Sequence, residues 1–276
     1  MSAHQTHAPL TFGSGVSAVF DRSRRLLVVL TMFAIWELAV RLGDVNTLLF
    51  PTFSAVVVSL LSGLGFGGRP ELWGYIWQTL SVILQSFAIS IVLAIILTSF
   101  ALVSRFAKDF LYVITGMFQP LPSIALLPMA ILWFGFTRES LVFVVVMSMV
   151  WPVASSLTVG SATVSRTLVS LGRNYELGAV GTLLQIMLPA ALPMLISGLR
   201  VGWGFGWRTV VAAELVFGST GSSGGIGWYI NNSRLFMNVA DGFAGILLVI
   251  IIGLAMESVF LFIQKKTTMR WGTEAA

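Results

Sequence analysis

From Thr79 to Val103 the chain runs without one charged residue. As an α-helix such a stretch is about 37 Å long, more than the ~30 Å hydrocarbon core of a bilayer. A water-soluble domain has no use for an uninterrupted apolar rod of that length. The rest conforms, since 57% of the 276 residues are hydrophobic and only 10% are charged, against about 25% charged in soluble domains. A lipid bilayer must cover most of the outside. The net charge of +5 does not point to nucleic acid, because the basic residues sit between apolar runs rather than on one face.

Absences exclude several chemistries. The chain has no cysteine, which rules out disulfides, thiolate metal sites and a thiol nucleophile. Its two histidines, His4 and His7, lie in a polar N-terminal tail. The body therefore offers no imidazole for general-base work or metal ligation. None of the lysines (Lys108, Lys265, Lys266) follows the glycine spacing of a phosphate-binding loop. No catalytic residue, metal ligand or cofactor is expected in this chain, and any ATP it uses must be hydrolysed by another. The run Gly221–Ser222–Ser223–Gly224 has the shape of an intramembrane serine protease motif. Without a histidine base that chemistry fails, and the run reads as an external flexible loop.

Six spans are expected. The first, Leu26–Val40, follows Arg22, Arg24 and Arg25, and Glu37 and Arg41 stand where a signal cleavage site would need small residues. It reads as a retained anchor. Within the mixed stretch Gly43–Gly74, Val56–Leu64 is too short to span and suits a surface helix. The second span is Thr79–Val103. The third, about Phe110–Phe134, is broken by Pro120, Pro122 and Pro128. The fourth is Leu141–Val159, the fifth about Ile186–Phe217 and the sixth about Phe243–Ile263.

Charge sets the orientation. With the N-terminus in the cytoplasm, Arg22, Arg24, Arg25, Arg105, Lys108, Arg166, Arg173, Lys265, Lys266 and Arg270 lie inside. Arg41, Arg69, Arg138 and Arg234 lie outside. Ten against four is the bias of the positive-inside rule. The expected architecture is an all-α polytopic membrane protein of about six transmembrane helices with both termini cytoplasmic. Tails at 1–25 and 264–276 flank a membrane domain at 26–263. No internal repeat is visible, which argues against an inverted-repeat carrier.

The fifth span holds the densest set of candidate site residues. Gly198, Gly202 and Gly206 recur every four residues, a small-xxx-small face for close helix packing. Trp203 and Trp207 form a neighbouring stripe, and one of them is expected to face lipid. Arg200 and Arg208 lie on roughly one side of the helix, about 80° apart. A cation in a span costs about 2.5–3.5 kcal/mol on insertion scales and faces a cavity or a partner. Two of them suggest a path for an anion. The alternative is ion pairing with Glu37, Glu214 or Glu257, or snorkelling by Arg200 to the inner surface. Pro120 and Pro122 free backbone carbonyls at mid-depth, which is tolerated where protein or a water-filled cavity receives them. The third and fifth spans are thus the expected walls of a pathway. Its candidate residues are Arg208, Arg200, Trp203, Trp207, Glu214, Pro120 and Pro122.

Between the fourth and fifth spans, about 160–185, lies a polar stretch containing Gly172–Arg173–Asn174–Tyr175–Glu176–Leu177–Gly178–Ala179. Leu188–Pro189–Ala190–Ala191–Leu192–Pro193 follows, then Gly198–Leu199–Arg200, Ala212–Ala213–Glu214 and Gly224–Gly225–Ile226–Gly227. Earlier come Leu49–Phe50–Pro51, Pro120–Leu121–Pro122, Leu127–Pro128 and Trp133–Phe134–Gly135. In this order and spacing the sequence resembles the permeases of binding-protein-dependent ABC importers, most nearly the nitrate/sulfonate/taurine subfamily.

The resemblance implies a type I permease fold in a bacterial inner membrane, paired with a second copy or a homologue. It further implies two ABC ATPase subunits carrying ATP and magnesium, and an external, periplasmic solute-binding protein. The polar stretch would be the coupling helix that docks on the ATPase, through Arg173, Asn174, Tyr175, Glu176, Leu177, Gly178 and Ala179. The sequence departs from the family pattern here. If Gly178 is the family glycine, Gly172–Arg173–Asn174 occupies the place of Glu-Ala-Ala, and the interval to Pro189 is about two residues short. Pro51–Leu64 and Gly218–Met237 are the candidate contacts for the external binding protein. The expected cargo is a small anion such as nitrate, a sulfonate, taurine or bicarbonate. The competing expectation is a stand-alone proton-coupled carrier using Glu37, Glu214 or Glu257.

Overall fold

The computed structural model describes residues 14–43, 45–68, 70–218 and 224–271. The tail containing His4 and His7 and the loop residues Gly221, Ser222 and Ser223 lie outside the described residues. All regular structure among the described residues is helical. The order is α1 Ser14–Leu42, α2 Phe53–Gly63, α3 Leu72–Val103, α4 Arg105–Phe118, α5 Leu127–Phe134 and α6 Arg138–Ala162. There follow α7 Arg166–Asn174, α8 Ala179–Thr182, α9 Leu188–Ala190, α10 Leu192–Phe217, α11 Ile226–Leu235 and α12 Val239–Trp271.

Three segments are long and apolar enough to cross a membrane: Leu72–Leu102, Arg138–Ala162 and Val239–Thr267. They contain the expected second, fourth and sixth spans. The expected third span is two helices, α4 and Ser123–Phe134, bent by 93° at the prolines, and it counts as a fourth crossing only if both arms are joined. The expected first and fifth segments are also helical, as α1 and α10. Glu37 and Arg41 in the former, and Arg200, Arg208 and four glycines in the latter, dilute their apolarity. Two boundaries move. Helix α1 begins at Ser14, so the part of the expected 1–25 tail that is described is already helical. Helix α12 continues to Trp271, past the expected end of the last span.

Helix α6 is the central element, with 67% of its apolar window buried inside the chain, against 11% for α12. Lipid has no hydrophobic drive to press helices together, so close packing and interhelical hydrogen bonds must do it. On the α3 side, Ser86, Ser90 and Thr98 donate to the carbonyls of Val142, Val146 and Ala154, each at 3.4 Å. On the α10 side Gly198, Gly202 and Gly206 close the gap. A Cβ at Gly198 would stand 2.5 Å from Ser156 Cβ, and one at Gly202 would stand 2.9 Å from Val153 Cγ2. At Gly206 it would collide with Met149.

Around this core, α2 packs against α1 and α12. Glu37 accepts from the backbone N–H of Ser54 at 3.0 Å and from its hydroxyl at 2.8 Å, and pairs with Arg41. Ser59 donates to Asp241 at 2.5 Å, tying α2 to the start of α12. Burial, reinforced by the Asp241 carboxylate, pushes the nearby Tyr229 hydroxyl well above the ordinary phenol range.

Candidate functional site

Proline has no amide to donate and disfavours helix in the residue before it. Pro120 and Pro122 therefore stop α4 at Phe118 and turn the chain through 93° before α5. Inside that elbow lies a cavity of about 290 Å³. Gln119, Pro120, Pro122 and Ser123 form one wall. Ser148 and Trp151 of α6 form the second, and Arg208, Thr209 and Ala212 of α10 form the third. The structure thus brings Arg208, Pro120 and Pro122 into one chamber. Arg208 makes no ion pair among the described residues, so its guanidinium is available to the cavity. The Trp151 indole N–H beside it is buried and has no acceptor among the described residues.

The other path candidates are elsewhere. The two arginines have separate fates although they share a side of α10. Arg200 donates through Nε to Glu257 of α12 at 2.9 Å and through Nη1 to Gln264 at 3.3 Å. Trp203 and Trp207 are both buried, at 4% and 7% exposure. The expectation that one faces lipid is thereby corrected. Trp203 packs edge-on against Phe87 and tilted against Phe260, while Trp207 lies over Gly253. The stripe they form is covered by α3 and α12, which the spacing on α10 alone could not reveal.

Glu214 is 2% exposed and belongs to a separate knot. The Thr79 hydroxyl donates to both carboxylate oxygens, at 3.0 and 2.9 Å, and the Gly227 N–H donates at 3.0 Å. The Ile226 N–H in turn donates to Thr79 Oγ1 at 2.8 Å. A carboxylate at the first turn of α11 satisfies amides that the helix cannot. A Cβ at Gly225 would strike the carboxylate itself. Gly225 and Gly227 leave the room that Glu214 occupies, while Gly224 leaves room for Trp228.

The expected coupling stretch forms α7, a tight turn and α8. Glu176 sits in that turn at φ 56°, and the Leu177 N–H donates back to the Gly172 carbonyl at 2.9 Å. Asn174, Tyr175, Glu176 and Gly178 are exposed, and Leu177 is half-buried. Arg173 and Ala179 lie on α7 and α8, but their side chains are outside the described residues. Close packing falls on Gly172, where a Cβ would come within 2.7 Å of Ile186 Cδ1, whereas one at Gly178 would meet nothing. Sequence reasoning weighted Gly178 and missed Gly172. It also missed Thr79, Gln119, Ser148 and Trp151, whose one sequence signal is a polar group inside an apolar span.

A family model described as binding-protein-dependent transport system inner membrane component matches residues 90–269. The chain belongs to that family. The match includes every wall of the Arg208 cavity, the Glu214 carboxylate and the α7–α8 stretch. The chain is 28% identical over 250 residues to the putative aliphatic sulfonates transport permease protein of Bacillus subtilis, covering 89% of this chain and 86% of that one. It is 27% identical over 245 residues to the taurine transport system permease protein of Escherichia coli, covering 88% and 86%. To the nitrate import permease protein of Synechocystis it is 28% identical over 189 residues, covering 68% and 67%. The permease resemblance visible in the motifs is borne out, and this ABC transporter permease is a membrane-embedded transport subunit.

Proposed function

We propose that the chain forms the translocation path for a small anion, of the sulfonate, taurine, nitrate or bicarbonate kind, in an ATP-driven importer. The carrying observation is Arg208, an unpaired guanidinium in a span, facing a chamber made by the α4–α5 elbow, α6 and α10. An unpaired cation persists in a span where it faces a cavity or partner, and its fork of donors can hold two oxygens of a sulfonate, nitrate or bicarbonate group. Six crossings with both termini cytoplasmic suit the charge distribution. In this reading α1 and α10 also cross, and each α4–α5 pair makes one bent crossing. A second permease copy or homologue completes the path. Two ATPase subunits carry ATP and magnesium and press on α7–α8, and a periplasmic binding protein delivers cargo near α2 and α11. This chain itself carries no cofactor.

Relatives named for sulfonates, taurine and nitrate support the substrate class. The proton-carrier alternative is not favoured, because its three carboxylates are engaged. Glu37 is held by Ser54 and Arg41, Glu214 by Thr79 and Gly227, and Glu257 by Arg200.

Uptake of labelled taurine, an alkanesulfonate and nitrate by the assembled complex in liposomes tests the reading. Arg208→Ala is expected to lower uptake of the transported anion about tenfold or more, the loss of a charged hydrogen bond. Arg138→Ala, at the α6 end beside Gln85, leaves it near wild type. Equal effects overturn the cavity assignment. For the coupling surface, Asn174→Glu and Gly178→Glu abolish uptake while membrane insertion stays intact; unchanged uptake removes ATPase docking from α7–α8.

A further inference from the structure

Helix α4 has two unlike faces. Ala107, Phe110, Leu111, Ile114 and Phe118 turn toward an apolar groove shared with Leu97 and Phe100 of α3. Lys108, Tyr112, Thr115, Gly116 and Gln119 follow helical spacing on another side and, with Leu111, Val113 and Val159, line a second cavity of about 510 Å³. Across it stand Ser155 and Thr158 of α6.

Three observations set this cavity apart from a packing defect. Gln119 lines both it and the Arg208 chamber, so the two lie on either side of one side chain. Hydroxyls in these helices satisfy themselves on their own backbone, as Ser148 does on Val145, Thr158 on Ala154 and Ser161 on Leu157. The Thr115 hydroxyl does not. It is buried, at 9% exposure, and has no partner among the described residues. Finally, Lys108 forms no ion pair with a described carboxylate. From Ser148 to Thr158 the polar edge of α6 extends about 15 Å. Lys108, Gln119 and Ser155 line this cavity with donors that no described residue takes up, whereas the Thr158 hydroxyl is spent on its own backbone.

We propose that the Lys108–Thr115–Gln119–Ser155–Thr158 cavity is a second anion-binding station, taking the same class of small oxyanion after it leaves Arg208. This rests on the anion-path reading of the Arg208 chamber. The chemistry suits a release site. Arg208 presents a fixed fork of donors, whereas Lys108 presents a mobile point charge at an open mouth. Conduction needs sites that attract enough to admit an ion and are weak or numerous enough to let it go.

The chain has no cysteine, so single cysteines report on each cavity separately. Ser155→Cys, Thr158→Cys and, in the Arg208 chamber, Thr209→Cys are placed in the complete transporter in lipid vesicles. Each is reacted with an anionic sulfonatoethyl methanethiosulfonate and with its cationic trimethylammonium counterpart, both normalised to a free thiol. Electrostatic focusing in a cleft raises encounter rates tenfold or more. Cysteines at 155 and 158 are expected to favour the anionic reagent by about tenfold. Lys108→Gln should erase that preference and Lys108→Arg retain it. The preference at 209 should survive Lys108→Gln and vanish in Arg208→Gln. If 155 and 158 are unreactive, indifferent to charge sign or insensitive to Lys108→Gln while 209 keeps its preference, the second station is overturned and the Arg208 reading stands. Indifference at 209 as well overturns both. A preference at 155 and 158 seen in phosphatidylcholine vesicles but lost on adding phosphatidylglycerol assigns the cavity to a lipid headgroup and also overturns the station.

Discussion

Along α10, helix α6 offers Met149, Val153 and Ser156 to Gly198, Gly202 and Gly206, and the backbones approach until no Cβ fits between them. Along α4, the same helix offers Ser148, Trp151, Ser155 and Thr158, and there the space opens into two cavities. Ser155 and Ser156 are neighbours in sequence and lie on opposite sides of this divide. The difference lies in what each partner helix brings. Glycines remove the atoms that would hold α10 away. The polar face and proline elbow of α4 leave groups that neither lipid nor a tight seam could satisfy. In a bilayer, where close contact rather than water drives association, the seam is the structural side of α6 and the gap is its candidate route.

The comparison breaks most visibly at Gly198. Gly198→Val puts atoms against Ser156 Cβ, which cannot swing aside, and overpacking of this kind costs about 1–3 kcal/mol. The yield and thermal midpoint of the purified complex should both fall. Gly204→Val, on the same helix but with nothing near its missing Cβ, should leave both unchanged. If the two valines behave alike, α10 is not sealed where described. Next in size is Glu214→Leu, which strands the Gly227 and Thr79 donors in a buried site at about 1–3 kcal/mol. Glu214→Gln keeps an acceptor and should lose visibly less in a thermal melt. Smallest is the serine pair. Ser155→Val, facing the open cavity, should shift stability by under about 0.5 kcal/mol, and Ser156→Val, inside the seam, by more. Identical melting curves would erase the distinction between the two sides of α6.

Much of this was legible in the sequence. Charge-free runs located α3, α6 and α12, and Pro120 and Pro122 located the elbow. The glycine spacing identified the packed face of α10, and Arg208 was named with Arg200 as a span cation suited to an anion path or to an ion pair. Where the reading fell short, the missing quantity was long-range. Whether Trp203 and Trp207 meet lipid depends on Phe87 and Phe260 for the first and on Gly253 of α12 for the second, all distant in sequence. Helix α11 was not foreseen within Gly218–Met237, which was read only as a candidate contact for the external binding protein. It is helical because Glu214 and Thr79 cap its first turn. Arg200 and Arg208 share a helix face yet differ in partner, since only Arg200 reaches Glu257.

The interlock of α6 with α10 also has a mechanical side. Helix α10 has 26 residues, about 39 Å of rod, with the α7–α9 stretch leading into one end and the pinned first turn of α11 at the other. A rod keyed into its neighbour at three points can neither slide nor roll independently. A displacement applied near Leu192 would therefore be carried along the keyed pair toward Glu214 rather than lost in slippage between them. Were such a push applied, the more open α4 side of α6 would be the side with room to give.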